Sequence, residues 1–160
     1  MIQRKKPVTD KQTAIEAAVR SLACRALSEQ EIETKLRRQD CPSEIICEVI
    51  SYLKERKYLN DTALANLISQ KMIQDGKYGE NKIVFKMRQR GIPEPIIQKT
   101  MQNFDRATEL YSAIAITRKK FSVFNGSDKP RIYRFLANKG FSGTLISQVL
   151  NSLKNDRENG

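Results

Sequence analysis

Histidine is absent from the sequence. The commonest general base is therefore missing, and so is a common metal ligand. Cysteine is scarce. Cys24, Cys41 and Cys47 form an odd set with no C-x-x-C pair, which suits neither structural zinc nor a disulfide framework. Reduced, partly buried thiols are expected. Proline and glycine number only 5 and 7 in 160 residues and are concentrated at turns. No apolar run is long enough to span a bilayer, and Met1 to Lys6 is polar and basic rather than a signal-peptide pattern. A cytoplasmic protein with no membrane partner is expected. No alternating run is bounded by hairpin signals, so no strand is expected. Gly76 to Lys82 bears glycines but does not fit the phosphate-loop pattern, and no carboxylate pair stands out. The expectation is a non-enzymatic chain with no catalytic residue, metal or cofactor.

What is present is positive charge and helical periodicity. The net charge is +11, with hydrophobic content of 39% and charged content of 29%. That balance points to a polyanionic partner, either nucleic acid or an acidic protein surface. The excess is spread as +3 over residues 1–59, +3 over 60–104 and +5 over 105–160, so no single basic tail explains it.

Lys82 to Phe104 reads as helix, tight turn, helix. Ile83 and Met87 share one face, Gly91 ends the first helix, and Pro93 and Pro95 are tolerated where the second begins. Shifted back by 51 positions, Ile83, Met87, Ile97, Met101 and Phe104 fall on Ile32, Leu36, Ile46, Ile50 and Leu53. Shifted forward by 49, they fall on Ile132, Leu136, Ile146, Leu150 and Leu153. Gly91 falls on Asp40 and on Gly140. Apolar character survives at every core position without a gap, which identifies an internal repeat. The fold class expected is all-α: three tandem three-helix repeats forming an elongated, curved helical array.

The boundaries follow from caps and breakers. Residues 1–12 are expected to be a flexible basic arm, 13–59 the first repeat, 60–104 the second, 105–154 the third and 155–160 a polar tail. In the first helix Ile15, Ala18, Val19 and Leu22 form an apolar stripe. Ser28 with Glu31 is a capping box opening the second helix, and Pro42-Ser43 opens the third. Asn60 or Asp61 caps the fourth, which carries Ala63, Leu64, Leu67, Ile68 and Met72. Asp105 caps a longer helix that carries Ala107, Leu110, Tyr111, Ile114 and Phe121. Asp128 and Ser142 cap the last two helices, the final one ending near Leu153.

Lys82, Lys86 and Arg90 lie four apart and form a stripe beside the Ile83–Met87 line. The same positions are Glu31, Lys35 and Gln39 in the first repeat and Arg131, Phe135 and Lys139 in the third. Like charges at this spacing cost a few tenths of a kcal/mol, roughly, and an unused surface intersperses acids as the first repeat does. Arg88 and Arg134 lie on other faces, and Arg118-Lys119-Lys120 adds a second cluster. The expected anion-contacting face therefore comprises Lys82, Lys86, Arg88, Arg90, Arg118, Lys119, Lys120, Arg131, Arg134 and Lys139.

These residues carry a resemblance. Leu59-Asn60-Asp61 followed by Ala63 to Ala65, then Gly79, Ile83, Met87 and Gly91-Ile92 in that spacing, resemble the RecX family of bacterial regulators of the RecA recombinase. The likeness covers roughly Ala14 to Leu153. Gly79-Glu80 replaces the usual Gly-Pro, Leu64 an aromatic, and Asp40 a glycine; the third repeat is divergent. The resemblance implies a DNA-repair and recombination role. Such a protein binds RecA as its filament on DNA and inhibits ATP hydrolysis, strand exchange and the coprotease activity behind the SOS response. A monomer is expected, and the basic face is open to direct contact with single- or double-stranded DNA as well as with RecA. Tandem repeats let weak contacts combine through effective concentration. The alternative reading is a sequence-nonspecific DNA-binding helical-repeat protein acting without RecA. Asn and Gln are scattered rather than grouped on one recognition helix, which argues against base-specific readout.

Overall fold

The computed structural model describes residues 7–122 and 125–158, with side chains as far as Asn155. The described residues are all-α, with nine α-helices, one short 3-10 turn and no strand. The helices are α1 (Lys11–Cys24), α2 (Glu29–Arg37), α3 (Ser43–Glu55), α4 (Asp61–Asp75), α5 (Glu80–Gln89), α6 (Glu94–Met101), α7 (Arg106–Lys120), α8 (Lys129–Asn138) and α9 (Gly143–Glu158). No helix among the described residues is long and apolar enough to cross a membrane.

Local chemistry places the ends. Ser28 accepts from the Glu31 amide at 3.1 Å while Glu31 accepts from the Ser28 amide at 2.9 Å, so the capping box is formed. Asn60 accepts from Ala63, Asp105 from Ala107, and Ser142 from Leu145. Asp128 behaves differently. Its carboxylate takes the Asn125 amide and the Arg131 guanidinium, and makes no cap hydrogen bond to α8. Asp40, Gly91 and Gly140, the three aligned turn positions, all have left-handed backbones with φ of 56°, 72° and 88°.

The chain forms two compact units. One combines the residues up to Asn66 with Met87–Ile97, and the other combines Leu67–Lys86 with Gln98 onward. In the first, α1, α2 and α3 pack around Ala14, Ala18, Ile32, Leu36, Ile46, Val49 and Leu53. In the second, α7, α8 and α9 pack around Ala113, Ile132, Leu136, Ile146, Val149 and Leu153. The aligned positions Ile32, Ile83 and Ile132 are fully buried, as are Leu36, Met87 and Leu136 within about a percent. A buried Leu or Ile of this kind contributes about 1.5–3 kcal/mol. The shared register thus coincides with the positions that matter most for stability.

Several sequence expectations need correction. The expected arm at residues 1–12 overlaps ordered structure, since α1 begins at Lys11. Residues 1–6 of it lie outside the described residues, but Val8 is buried and its amide donates to the Gln39 carbonyl at 2.9 Å. Asp10 then caps α1 through the Thr13 amide at 2.8 Å. The last helix runs on to Glu158, so most of the expected tail is helical; residues 159–160 lie outside the described residues. In α7 the most buried positions are Glu109, Ala113 and Thr117, and Tyr111 is 76% exposed. The periodicity was ambiguous there because this buried line carries two polar residues. Val19, assigned to the apolar stripe of the first helix, is also exposed. Of the thiols, Cys41 is buried, whereas Cys24 and Cys47 are exposed.

Candidate functional site

Two joints of the same design bring distant segments together, one within each unit. In the first, the start of α2 meets the turn after α5. A Cβ on Gly91 would lie 2.2–2.8 Å from the Gln30 side chain, so a glycine is required there for close approach as well as for its positive φ. In the second, the start of α5 meets the turn after α8. A Cβ on Gly140 would lie 2.3 Å from the Lys82 nitrogen and 2.4 Å from its Cβ. Here the contact is backbone to backbone. Gly79 donates to the Lys139 carbonyl at 2.9 Å and Asn81 to the Gly140 carbonyl at 3.1 Å.

A buried carboxylate locks each joint. Asp61 accepts from the Glu29 amide, the first of α2, at 3.0 Å. Glu109 accepts from the Glu80 amide, the first of α5, at 2.8 Å. Both acids are only 4% exposed. Each satisfies a helix N-terminal donor and opposes the positive end of the dipole. Burial pushes the Asp61 carboxyl above the usual aspartate range, against the lowering effect of the Glu29 amide.

The joints differ in charge. At the first, Arg90 donates to Glu31 through Nε at 2.7 Å and Nη2 at 3.0 Å, and to the Ala26 carbonyl at 2.7 Å. The two side chains are 18% and 20% exposed. Arg25 adds a contact to Glu31 at 3.2 Å. Burial alone raises the Glu31 carboxyl, but the Arg90 hydrogen bonds, the Ser28 amide and the charges of Arg90 and Arg25 together hold it below its ordinary value. At the second joint, the positions aligned with Glu31 and Arg90 are Lys82 and Lys139. An ion pair in one place is a pair of cations in the other.

Around that pair lies a recess of about 710 Å³, lined by Tyr78, Lys82, Lys120, Arg131, Arg134, Phe135, Asn138 and Lys139. None of these lining residues is acidic. Aromatic rings hold the cations in place. Lys120 Nζ lies 4.2 Å from the Phe135 ring centre, and Lys139 Nζ lies 5.3 Å from that of Tyr78. Arg131 sits 5.8 Å from Phe121, which packs edge-on to Phe135 at 5.9 Å. Such contacts are worth about 0.5–1 kcal/mol at exposed sites, enough to orient a long side chain without neutralising it. Asp128 pairs with Arg131 at the rim at 3.2 Å. The start of α5 offers no free donor to an anion, because Gly79, Glu80 and Asn81 already donate within the protein. Side chains must do the binding. Cations interleaved with rings suit phosphates flanked by stackable groups.

Of the residues expected on the anion-contacting face, Lys82, Lys120, Arg131, Arg134 and Lys139 come together here. The others lie elsewhere. Arg90 is committed to Glu31, and Arg88 to Glu94 through bonds of 2.9 and 2.7 Å. Lys86, Arg118 and Lys119 are exposed on α5 and α7 but do not line the recess. Sequence reasoning missed Tyr78, Phe135 and Asn138 as lining residues. Tyr78 lies between Gly76 and Gly79, and Phe135 stands out in the sequence only as the apolar member of the third repeat's stripe.

Comparison with known proteins follows the same register. Residues 14–53 match a family model described as RecX, first three-helix domain. A regulatory protein RecX from Clostridioides difficile is 31% identical over 157 residues, spanning 94% of this chain and 74% of that protein. One from Deinococcus radiodurans is 31% identical over 131 residues, spanning 81% and 62%. A crystal structure of RecX from Lactobacillus salivarius superposes with a TM-score of 0.80 at 21% identity, covering 90% of this chain and 96% of that one.

Proposed function

The chain belongs to the RecX family of regulatory proteins, and from that premise we propose that it binds the RecA recombinase as its filament on DNA. In this reading it lowers ATP hydrolysis, strand exchange and SOS coprotease activity without catalysing a reaction itself, and it works in the cytoplasm as a monomer. The division into repeats at residues 13–59, 60–104 and 105–154 belongs to the same proposal: each repeat contributes weak contacts that combine through effective concentration.

The observation that carries the reading is the recess at the second joint. Five cations with no acid among the lining residues form a surface for a polyanion, and a filament on DNA presents one continuously. The half-buried ring of Phe135 and that of Tyr78 give a stacking surface beside the cations, which favours the DNA of the filament as what the recess touches. The contact expected is therefore sequence-nonspecific.

The test is RecA-dependent ATP hydrolysis on single-stranded DNA with increasing amounts of this protein. A filament regulator slows turnover at far less than one copy per RecA. A protein that acts on DNA alone slows it only when it is abundant enough to coat the strand, and that outcome selects the alternative of a DNA-binding repeat protein independent of RecA.

A further inference from the structure

The two joints bring aligned residues together, the start of one helix and a glycine turn, and differ in one pair of charges. At the first, the Glu31 carboxylate lies against the Arg90 guanidinium and closes the joint electrostatically. At the second, Lys82 and Lys139 occupy both positions and line one recess, and Gly140 brings the turn that carries Lys139 against Lys82, with its hypothetical Cβ only 2.4 Å from the Lys82 Cβ. No lining residue of the recess supplies the missing negative charge. The Gly79 amide, aligned with the Ser28 amide that binds Glu31, is taken up by the Lys139 carbonyl, so the backbone is satisfied and only the charge is unbalanced.

We propose that the second joint is completed by a bound phosphoryl group, held between Lys82 and Lys139 where the first joint holds the Glu31 carboxylate. Lys120 and Arg131, steadied on Phe135 and Phe121, extend the cradle outward. The ligand class is a phosphate with at least two negative charges in reach, either free or repeated along a nucleic-acid backbone. Phosphate outcompetes a monovalent inorganic anion because its several oxygens take hydrogen bonds from two ammonium groups at once. Binding links to folding, so the anion stiffens the joint and raises the stability of the unit containing α7, α8 and α9. The proposal rests on the same recess as the functional reading, but its test contains no RecA, so the two fail separately.

The experiment is thermal unfolding of the full chain in phosphate-free, low-salt buffer, with inorganic pyrophosphate or a short oligothymidylate added. The wild-type midpoint should rise by about 3–5 °C at an anion concentration near ten times its dissociation constant. Lys82→Glu rebuilds the first joint's pair with Lys139. It should melt no lower than the wild type without anion and lose the response to added anion. Lys82→Gln should lose most of the response without the gain. A response to both anions assigns the site to the phosphoryl group whatever carries it, and a response to oligothymidylate alone assigns it to backbone phosphates; both support the proposal. If neither anion moves the wild-type midpoint, or if Lys82→Gln responds as the wild type does, the proposal is overturned.

Discussion

Arg90 grips Glu31 with two hydrogen bonds across 59 residues of sequence, and a third ties it to the Ala26 carbonyl. The pair is mostly shielded from water, so it differs from the surface pairs that contribute almost nothing. Arg90→Ala should destabilise the protein by about 1.5–3 kcal/mol, because a partly buried carboxylate loses a bidentate partner. Arg90→Lys should recover less than half of that, since one ammonium cannot reproduce the fork. Urea unfolding of both variants checks this. A loss below about 0.5 kcal/mol for Arg90→Ala would place the pair among the ornamental ones.

Two carboxylates give the stability opposite pH slopes. Glu31 is held below its ordinary value in the folded chain. Its contribution is fully present above the ordinary glutamate range and is lost as the pH falls through the lowered value. Asp61 is pushed above its ordinary value by burial. Between its unfolded and folded values the folded chain binds more protons, so its contribution declines as the pH rises through that window. Asp61→Asn keeps an acceptor for the Glu29 amide and removes the charge. Relative to the wild type it should gain stability as the pH rises from 3 to 6, whereas Arg90→Ala should flatten the acid limb. Unfolding curves across that interval test both slopes.

The two joint glycines should differ in cost. At Gly91 a methyl group meets the Gln30 side chain, whose Oε1 and Cδ can swing aside but whose Cβ at 2.7 Å cannot, so Gly91→Ala should cost about 2 kcal/mol from the positive φ and this contact together. At Gly140 it meets the Lys82 backbone, which cannot swing aside, so Gly140→Ala should cost about 3 kcal/mol or more. Equal costs in urea unfolding would contradict the backbone contact.

The same position shows how much of the fold was legible. The register that aligns Asp40, Gly91 and Gly140 was visible because hydrophobic spacing and turn chemistry repeat together, and all three residues share the left-handed backbone. Asp40 departs from glycine where its side chain is exposed, so no wall excludes a Cβ. The helices and their caps followed from local rules. The polar locks did not, because Asp61 and Glu109 act on amides some thirty residues away and look like ordinary helix-start acids. The site was half legible. The stripe at i, i+4 picked out Lys82, which lines the recess, but it could not show that Arg90 is spent on Glu31. That partner was already in view as the aligned counterpart of Lys82; what was missing was knowledge that α2 and the turn after α5 meet. Tyr78 and Phe135 stayed hidden because rings read as core or as loop until the cations around them are placed.

The recess is central to the functional reading, and its outer cations can be removed without touching either joint. Lys120, Arg131 and Arg134 are exposed and lie outside both hydrophobic cores, so reversing all three to Glu should leave folding intact by circular dichroism and thermal unfolding. The decisive measurement is RecA-dependent ATP hydrolysis on single-stranded DNA, comparing the wild type with this triple variant across a concentration series. The account predicts that the variant needs at least about tenfold more protein for the same inhibition, a loss of roughly 1.4 kcal/mol. Inhibition by the folded variant at wild-type concentrations would contradict it.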